Sequence, residues 1–170
     1  MMDLNTLVQV AQILGPTAVA IGVMFGVIQI RIIERQRREQ AAVVIVHSFQ
    51  SGDFNRAVRL VWAIPPETTA QELRNGPKEV EEAAVFIGTT LETIGVLVHR
   101  RVVPINLVDD LMGDAIVNFW PRLRDWIETM RREQARESVY EWFQWLVERL
   151  AERERRRTVG AHVRYAEWRS

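Results

Sequence analysis

Apolar and polar residues divide this chain into two regions. From Leu4 to Ile30 no residue is charged, and the run "ILGPTAVAIGVMFGVIQI" gives way at once to "RIIERQRRE". Beyond it, apolar residues recur every three or four positions among many charges, the period of helices buried along one face. A bilayer core takes roughly 20 apolar residues in a helix, so the uncharged run is long enough to cross one. A signal peptide would need a positive n-region and a small-residue cleavage site. Here Asp3 is the charge that precedes the run, and "QIRIIERQ" offers no such site. A buried core helix would keep a polar stripe. Asn5, Gln9 and Gln12 form part of one, but nothing polar interrupts Ala18 to Ile28. The pattern therefore predicts a transmembrane anchor over residues 1–30.

Arg31, Arg35, Arg37 and Arg38 follow the run and no Lys or Arg precedes it. The positive-inside rule then predicts a single-pass protein of the cell inner membrane, N-terminus outside and the C-terminal domain cytoplasmic. Ala18, Gly22 and Gly26 share one face of this helix, and small side chains there let two backbones approach closely. This is the expected helix–helix interface of a homo-oligomer. Pro16 is expected to kink the helix or to begin its most apolar part.

The helical pattern continues through a stalk, residues 31–50, with Ile32, Ile33, Gln36, Gln40, Val43, Val44 and His47 in register. A helical bundle is expected over residues 51–157 and a loosely ordered tail over 158–170. In the bundle, Asp53 is the expected N-cap of a helix over 54–64 carrying Phe54, Ala57, Val58 and Val61 on one face. Pro65 and Pro66 end it, and the segment to Lys78 is expected to be the most mobile connection, with a short turn near 70–74. Pro77 opens a helix with Val80, Ala84, Ile87, Leu91, Ile94 and Val98 inward. Pro104 opens the next, with Val108, Leu111, Ala115, Phe119, Leu123 and Ile127 inward and a kink or break near Asn118–Trp120 from Pro121. The last is expected over 137–157, burying Val139, Phe143, Leu146 and Leu150. The fold class is all-α: one N-terminal transmembrane helix running into a stalk, then a cytoplasmic bundle with Leu91, Ile94, Phe119, Leu123, Ile127, Phe143 and Leu146 at its core.

Composition narrows the chemistry. Lys+Arg and Asp+Glu are both 22, so net charge is zero and no overall field favours nucleic acid. The absence of cysteine excludes disulfides, thiolate metal sites and cysteine nucleophiles. Lys78 is the single lysine, at an expected exposed helix start. His47, His99 and His162 share no metal-ligand spacing. Asp109, Asp110 and Asp114 are the densest acidic group. Asp110 and Asp114 lie one turn apart and can share a cation, but acidic residues early in a helix also suit its dipole. No phosphate-binding glycine loop or nucleophile elbow occurs. Trp142 and Trp145 cannot both enter one narrow stripe, so either one faces a partner, the stalk or lipid headgroups, or the pair adds coverage to the core of a small bundle. The tail, rich in arginine and aromatic residues, can meet anionic lipid.

The stretch "FWPRLRDWIETMRRE", followed by "YEWFQWLVERL" behind one N-terminal membrane helix, resembles a family of uncharacterised bacterial membrane-anchored helical proteins of unknown function. The similarity spans Ala83 to Leu150 and rests on Trp120, Leu123, Ile127, Arg131, Phe143 and Leu146. These are mostly packing residues, so the resemblance implies a fold and a layout and assigns no catalytic group. The reading that follows is a non-catalytic, self-associating scaffold or adaptor at the cytoplasmic membrane face, with no cofactor and no metal. Its expected partners are the lipid bilayer, further copies of the chain, and another membrane or cytoplasmic protein. The alternative is a small homo-oligomeric pore lined by Asn5, Gln9, Gln12, Thr17 and Gln29, closed by a hydrophobic constriction. A third class is an enzyme with a metal held by Asp110 and Asp114.

Overall fold

A computed structural model of the chain describes residues 22–31, 33, 43, 46, 47, 49–157 and 159–169. Ala18, Pro16 and the rest of the chain before Gly22 lie outside the described residues, as does most of the 31–50 stalk. The chain divides into two units, Met1–Gln40 and Ala41–Ser170. This boundary falls inside the expected stalk. Phe49 belongs to the second unit, where it is buried with its ring 5.1 Å from that of Phe54.

The second unit is all-helical among the described residues: α1 Gly52–Ala63, α2 Ala70–Asn75, α3 Lys78–His99, α4 Ile105–Gln134, α5 Glu141–Arg156 and α6 Ala161–Arg164. Helix α1 buries Phe54, Ala57 and Val61. Its N-cap is Ser51, not Asp53: the Ser51 hydroxyl accepts from the Phe54 amide at 3.2 Å. Asp53 instead sits in the first turn, where its charge suits the helix dipole.

The connection after Pro65–Pro66 is not a loose loop. Thr69 and Glu72 form a reciprocal capping box that starts α2. The segment is then fastened to α4 at four points. The Glu67 amide donates to the Pro121 carbonyl at 2.7 Å, and the Ala70 amide to Asp125 Oδ2 at 2.7 Å. Arg74 grips Glu133 through two bonds of 2.6 and 2.7 Å, and Arg124 reaches Glu67 at 2.6 Å.

Helix α4 runs through Pro121 without the expected break. Proline removes the donor that would reach the Val117 carbonyl four residues earlier, and the Asp114 and Asn118 carbonyls gain additional side-chain donors. Asn118 Nδ2 donates to the Asp114 carbonyl at 2.8 Å, and Arg122 to the Asn118 carbonyl at 2.7 Å. Burial of Phe119 and Leu123 on either side holds the helix in place. Leu111 is exposed, contrary to its expected inward position, because the inward face turns through Val108, Gly113 and Ile116.

Helix α5 begins at Glu141, later than expected. Ala135 and Tyr140 both adopt left-handed backbone angles, with φ of 48° and 52°, and this closes a turn before the helix starts. Val139 therefore lies in the turn, half-buried, and its carbonyl accepts from Arg131 Nε at 2.9 Å. Arg131 also donates to the Tyr140 carbonyl and to Gln144 Oε1. Tyr140 provides no side-chain cap. The capping group comes from α3, where Glu92 Oε2 accepts from the Phe143 amide at 2.8 Å.

Helix α3 packs chiefly against α1 and α5, and α5 also rests on α4. Leu91, Ile94, Phe119, Leu123, Ile127, Phe143 and Leu146 are all buried. Two glycines let α5 come close. A Cβ on Gly88 would stand 3.0 Å from the Tyr140 ring, and one on Gly95 would collide with the Trp142 backbone carbonyl. His99, at the end of α3, is flanked by Trp142 and Trp145 with ring centroids 4.5 and 5.6 Å away. Both tryptophans thus close on one histidine. The tail contains the short helix α6, exposed throughout.

Removing the Phe143 side chain from this core should cost about 3–5 kcal/mol. Gly95→Ala should cost about 1–3 kcal/mol, because the backbone of α5 has to move. Gly52→Ala, where a Cβ meets nothing within 4 Å, is the matched control and should leave stability nearly unchanged. Thermal unfolding of the full chain in detergent measures all three. A Gly95→Ala protein as stable as the control would place α3 and α5 farther apart than described.

Glu92 gives a pH test. Burial pushes its carboxyl above the ordinary range, and this outweighs the lowering by its bonds to the Phe143 and Trp142 amides. A raised folded-state pKa means a contribution fully present below the ordinary glutamate range and lost as pH rises through the raised value. Glu92→Gln keeps an acceptor for the Phe143 amide and never ionises. The Tm difference between variant and wild type should move in the variant's favour as pH rises from about 4 to about 7. A difference that moves the other way would mean that the anion's bond to the α5 amides outweighs the cost of its burial.

Candidate functional site

The outer face of α3 carries an open groove of about 840 Å³. Val85 and Phe86 are more than two-fifths exposed there, and Leu97 is half-buried. The intervening residues are threonines. Thr90 Oγ1 donates to the Phe86 carbonyl at 2.8 Å, and Thr93 Oγ1 to the Thr89 carbonyl at 3.0 Å. With their hydroxyls turned back onto the helix, these side chains leave their methyl groups to the surface. The groove is therefore apolar along its length and polar at one end, where Lys78, Glu81 and Glu82 line it. Helix α3 is also long and apolar enough, by length and composition, to cross a membrane, although 44% of its most apolar window is buried inside the protein. Its inner face is core and its outer face is this groove.

In the first unit, Gly22–Arg31 is an apolar helix whose every residue is exposed. Val23, Met24 and Phe25 are each more than 60% exposed. A Cβ added to Gly22 or Gly26 meets nothing within 4 Å among the described residues. The face shared by these two glycines is open among the described residues. Ala18, the third residue of the expected interface, lies outside the described residues.

The acidic residues singled out by the sequence do different jobs. Asp109 is the buried charged side chain of the described core. Its Oδ2 accepts from Arg157 at 2.8 Å and from Arg153 Nε at 3.2 Å. Asp110 is exposed and 3.9 Å from Arg157. The Glu154 carboxyl is raised above its ordinary range, first by desolvation and then by the neighbouring Asp114. Asp110 and Asp114 line one recess together with Glu154 and Arg157. Among the described residues no group of three or more potential ligands could hold a metal ion. His47, His99 and His162 are all exposed, His99 beside the Trp142 and Trp145 rings.

Three structural roles were not anticipated from sequence: Glu92 as the cap of α5, Arg131 as the clasp of the α4–α5 turn, and Asp109 as the anchor of two arginines. The signal for Asp109 was present. It stands four residues before Gly113 and seven before Ile116, on the inward face. Nothing local marks Glu92 or Arg131, since their partners lie on other elements or across a turn.

No curated protein and no solved structure matches the chain. Residues 16–150, which take in Gly22–Arg31 and α1–α4 and nearly reach the end of α5, match DUF4760, a domain of unknown function. The match spans both units and well over half of the sequence. This chain belongs to the DUF4760 family.

Proposed function

We propose that the protein is a non-catalytic, membrane-anchored scaffold or adaptor that self-associates through its N-terminal helix and presents its helical bundle at the cytoplasmic face of the inner membrane. The observation that carries this reading is the fully exposed apolar helix Gly22–Arg31, which closes a stretch without charge from Leu4 to Ile30. Apolar surface of this kind is stable when lipid or another helix covers it. The open Gly22–Gly26 face supports helix-to-helix contact within the bilayer, where small residues let backbones meet. The apolar groove on α3 gives the bundle a surface on which a partner's amphipathic helix would fit.

Topology is tested by reporters fused after Ser170. A cytoplasm-dependent reporter should be active and a periplasm-dependent one silent. Activity of the periplasmic reporter would reverse the orientation, and release of the protein from membranes by alkaline carbonate would remove the anchor altogether.

Self-association is tested by size in nanodiscs. Gly22→Ile or Gly26→Ile should shift the population toward monomer by steric obstruction, whereas Val23→Ile should be nearly neutral. A wild-type chain that runs as a monomer at every concentration would end the scaffold reading. An oligomer unaffected by either glycine variant would move the interface away from this face.

A further inference from the structure

A second surface of the bundle has a different character. Near the C-terminal end of α5, a recess of about 450 Å³ is lined by Arg149, Arg153, Arg156, Arg157 and Arg164, with Asp109 and Glu152 as its two carboxylates. Each carboxylate is shared between two arginines. Asp109 holds Arg153 and Arg157, and Glu152 accepts from Arg156 and lies 3.5 Å from Arg149. Arg164 pairs with no carboxylate among the described residues. The lining therefore holds five cations against two anions, in a chain whose overall net charge is zero.

The arrangement is built rather than incidental. Asp109 is buried on α4, so it fixes Arg153 and Arg157 from beneath and keeps two like charges side by side. Arg153 is further fixed by Asn106 at 2.9 Å. The helix dipole accounts for cations in the last turn of α5. It does not account for Arg149, one turn earlier, or for Arg164, which comes from α6. All five cations are arginines, whose planar forks suit phosphate oxygens bidentately.

We infer that this recess is a binding site for a phosphate group, carried either by a soluble phosphate ester or by an anionic lipid headgroup. Arg153 and Arg157 form its floor, positioned by Asp109. Arg149, Arg156 and Arg164 supply its rim. A doubly charged phosphate largely neutralises the excess of three positive charges, and the rim keeps the site open to solvent until it is filled. The inference does not depend on the membrane reading, because a soluble probe tests it directly.

The experiment uses the full chain in uncharged detergent micelles and isothermal titration with three probes: inorganic pyrophosphate, short-chain phosphatidic acid and short-chain phosphatidylcholine. Pyrophosphate, phosphatidic acid or both should bind, more weakly as salt is raised, and phosphatidylcholine should not. The double variant Arg149→Gln/Arg164→Gln should lose about tenfold in affinity. Arg155→Gln, outside the recess, should match wild type. Arg164 pairs with no carboxylate among the described residues, so the single variant Arg164→Gln should weaken binding with an unchanged Tm and keeps the test valid if the double variant is unstable. Comparable affinity for the two phosphate probes assigns a soluble ester, and marked preference for phosphatidic acid assigns a headgroup. Binding of neither, binding unaltered by the arginine variants, or equal binding of phosphatidylcholine would overturn the inference.

Discussion

Helix α5 has no cap of its own, and much of the bundle is arranged around that deficiency. Tyr140 enters the helix from a left-handed conformation and offers no side-chain acceptor. Free amides at a helix start need partners, and Glu92 on α3 supplies one. For a carboxylate on α3 to reach an amide on α5, the two helices must be close. Gly88 and Gly95 make that possible, with Tyr140 and Trp142 resting where side chains would otherwise stand. Arg131 holds the preceding turn from the α4 side through the carbonyls of Val139 and Tyr140. One electrostatic requirement thus fixes the separation of α3 and α5 and the angle at which α5 leaves α4.

The same registration has consequences at the far end of α5. With Phe143, Leu146 and Leu150 inward, Arg153 and Arg157 fall one and two turns beyond Leu150 and meet Asp109. A buried carboxylate is costly unless paired, and these two arginines pair it. A pairing that removes a burial cost also gathers positive charge at a single recess. The cluster of carboxylates at Asp114 and Glu154 lies on the adjoining side, where one carboxyl is held above its ordinary range. Opposite charges are thus sorted into neighbouring patches on a protein that is neutral as a whole.

Helix α3 serves two surfaces. Its inner face is core, and its outer face is an apolar groove in which threonine hydroxyls are turned back to the backbone. Such a helix passes a hydropathy test for crossing membranes on composition alone. Its inner packing and its Glu92 cap give the same residues a role inside the bundle, which is why mean hydropathy does not by itself assign a helix to lipid or to core.

The sequence determined the helical class, the proline-marked starts of α3 and α4, and the inward stripes through Leu91, Phe119 and Phe143, because each is a local consequence of helix period and backbone chemistry. It also set the uncharged run from Leu4 to Ile30 and the small residues along it. Tertiary structure alone decided the rest. Pro121 did not break α4, because burial of Phe119 and Leu123 on either side of it held both halves in the core. Leu111 turned outward while Asp109 turned inward, because partners on α5 set which residues at the edge of a stripe are covered. The segment after Pro65 became a fastened strap because Asp125, Arg124 and Glu133, more than fifty residues away, meet it. Helix period fixes which side of a helix is apolar. Where its edge falls, and which charges meet across it, depends on contacts between residues far apart in the chain.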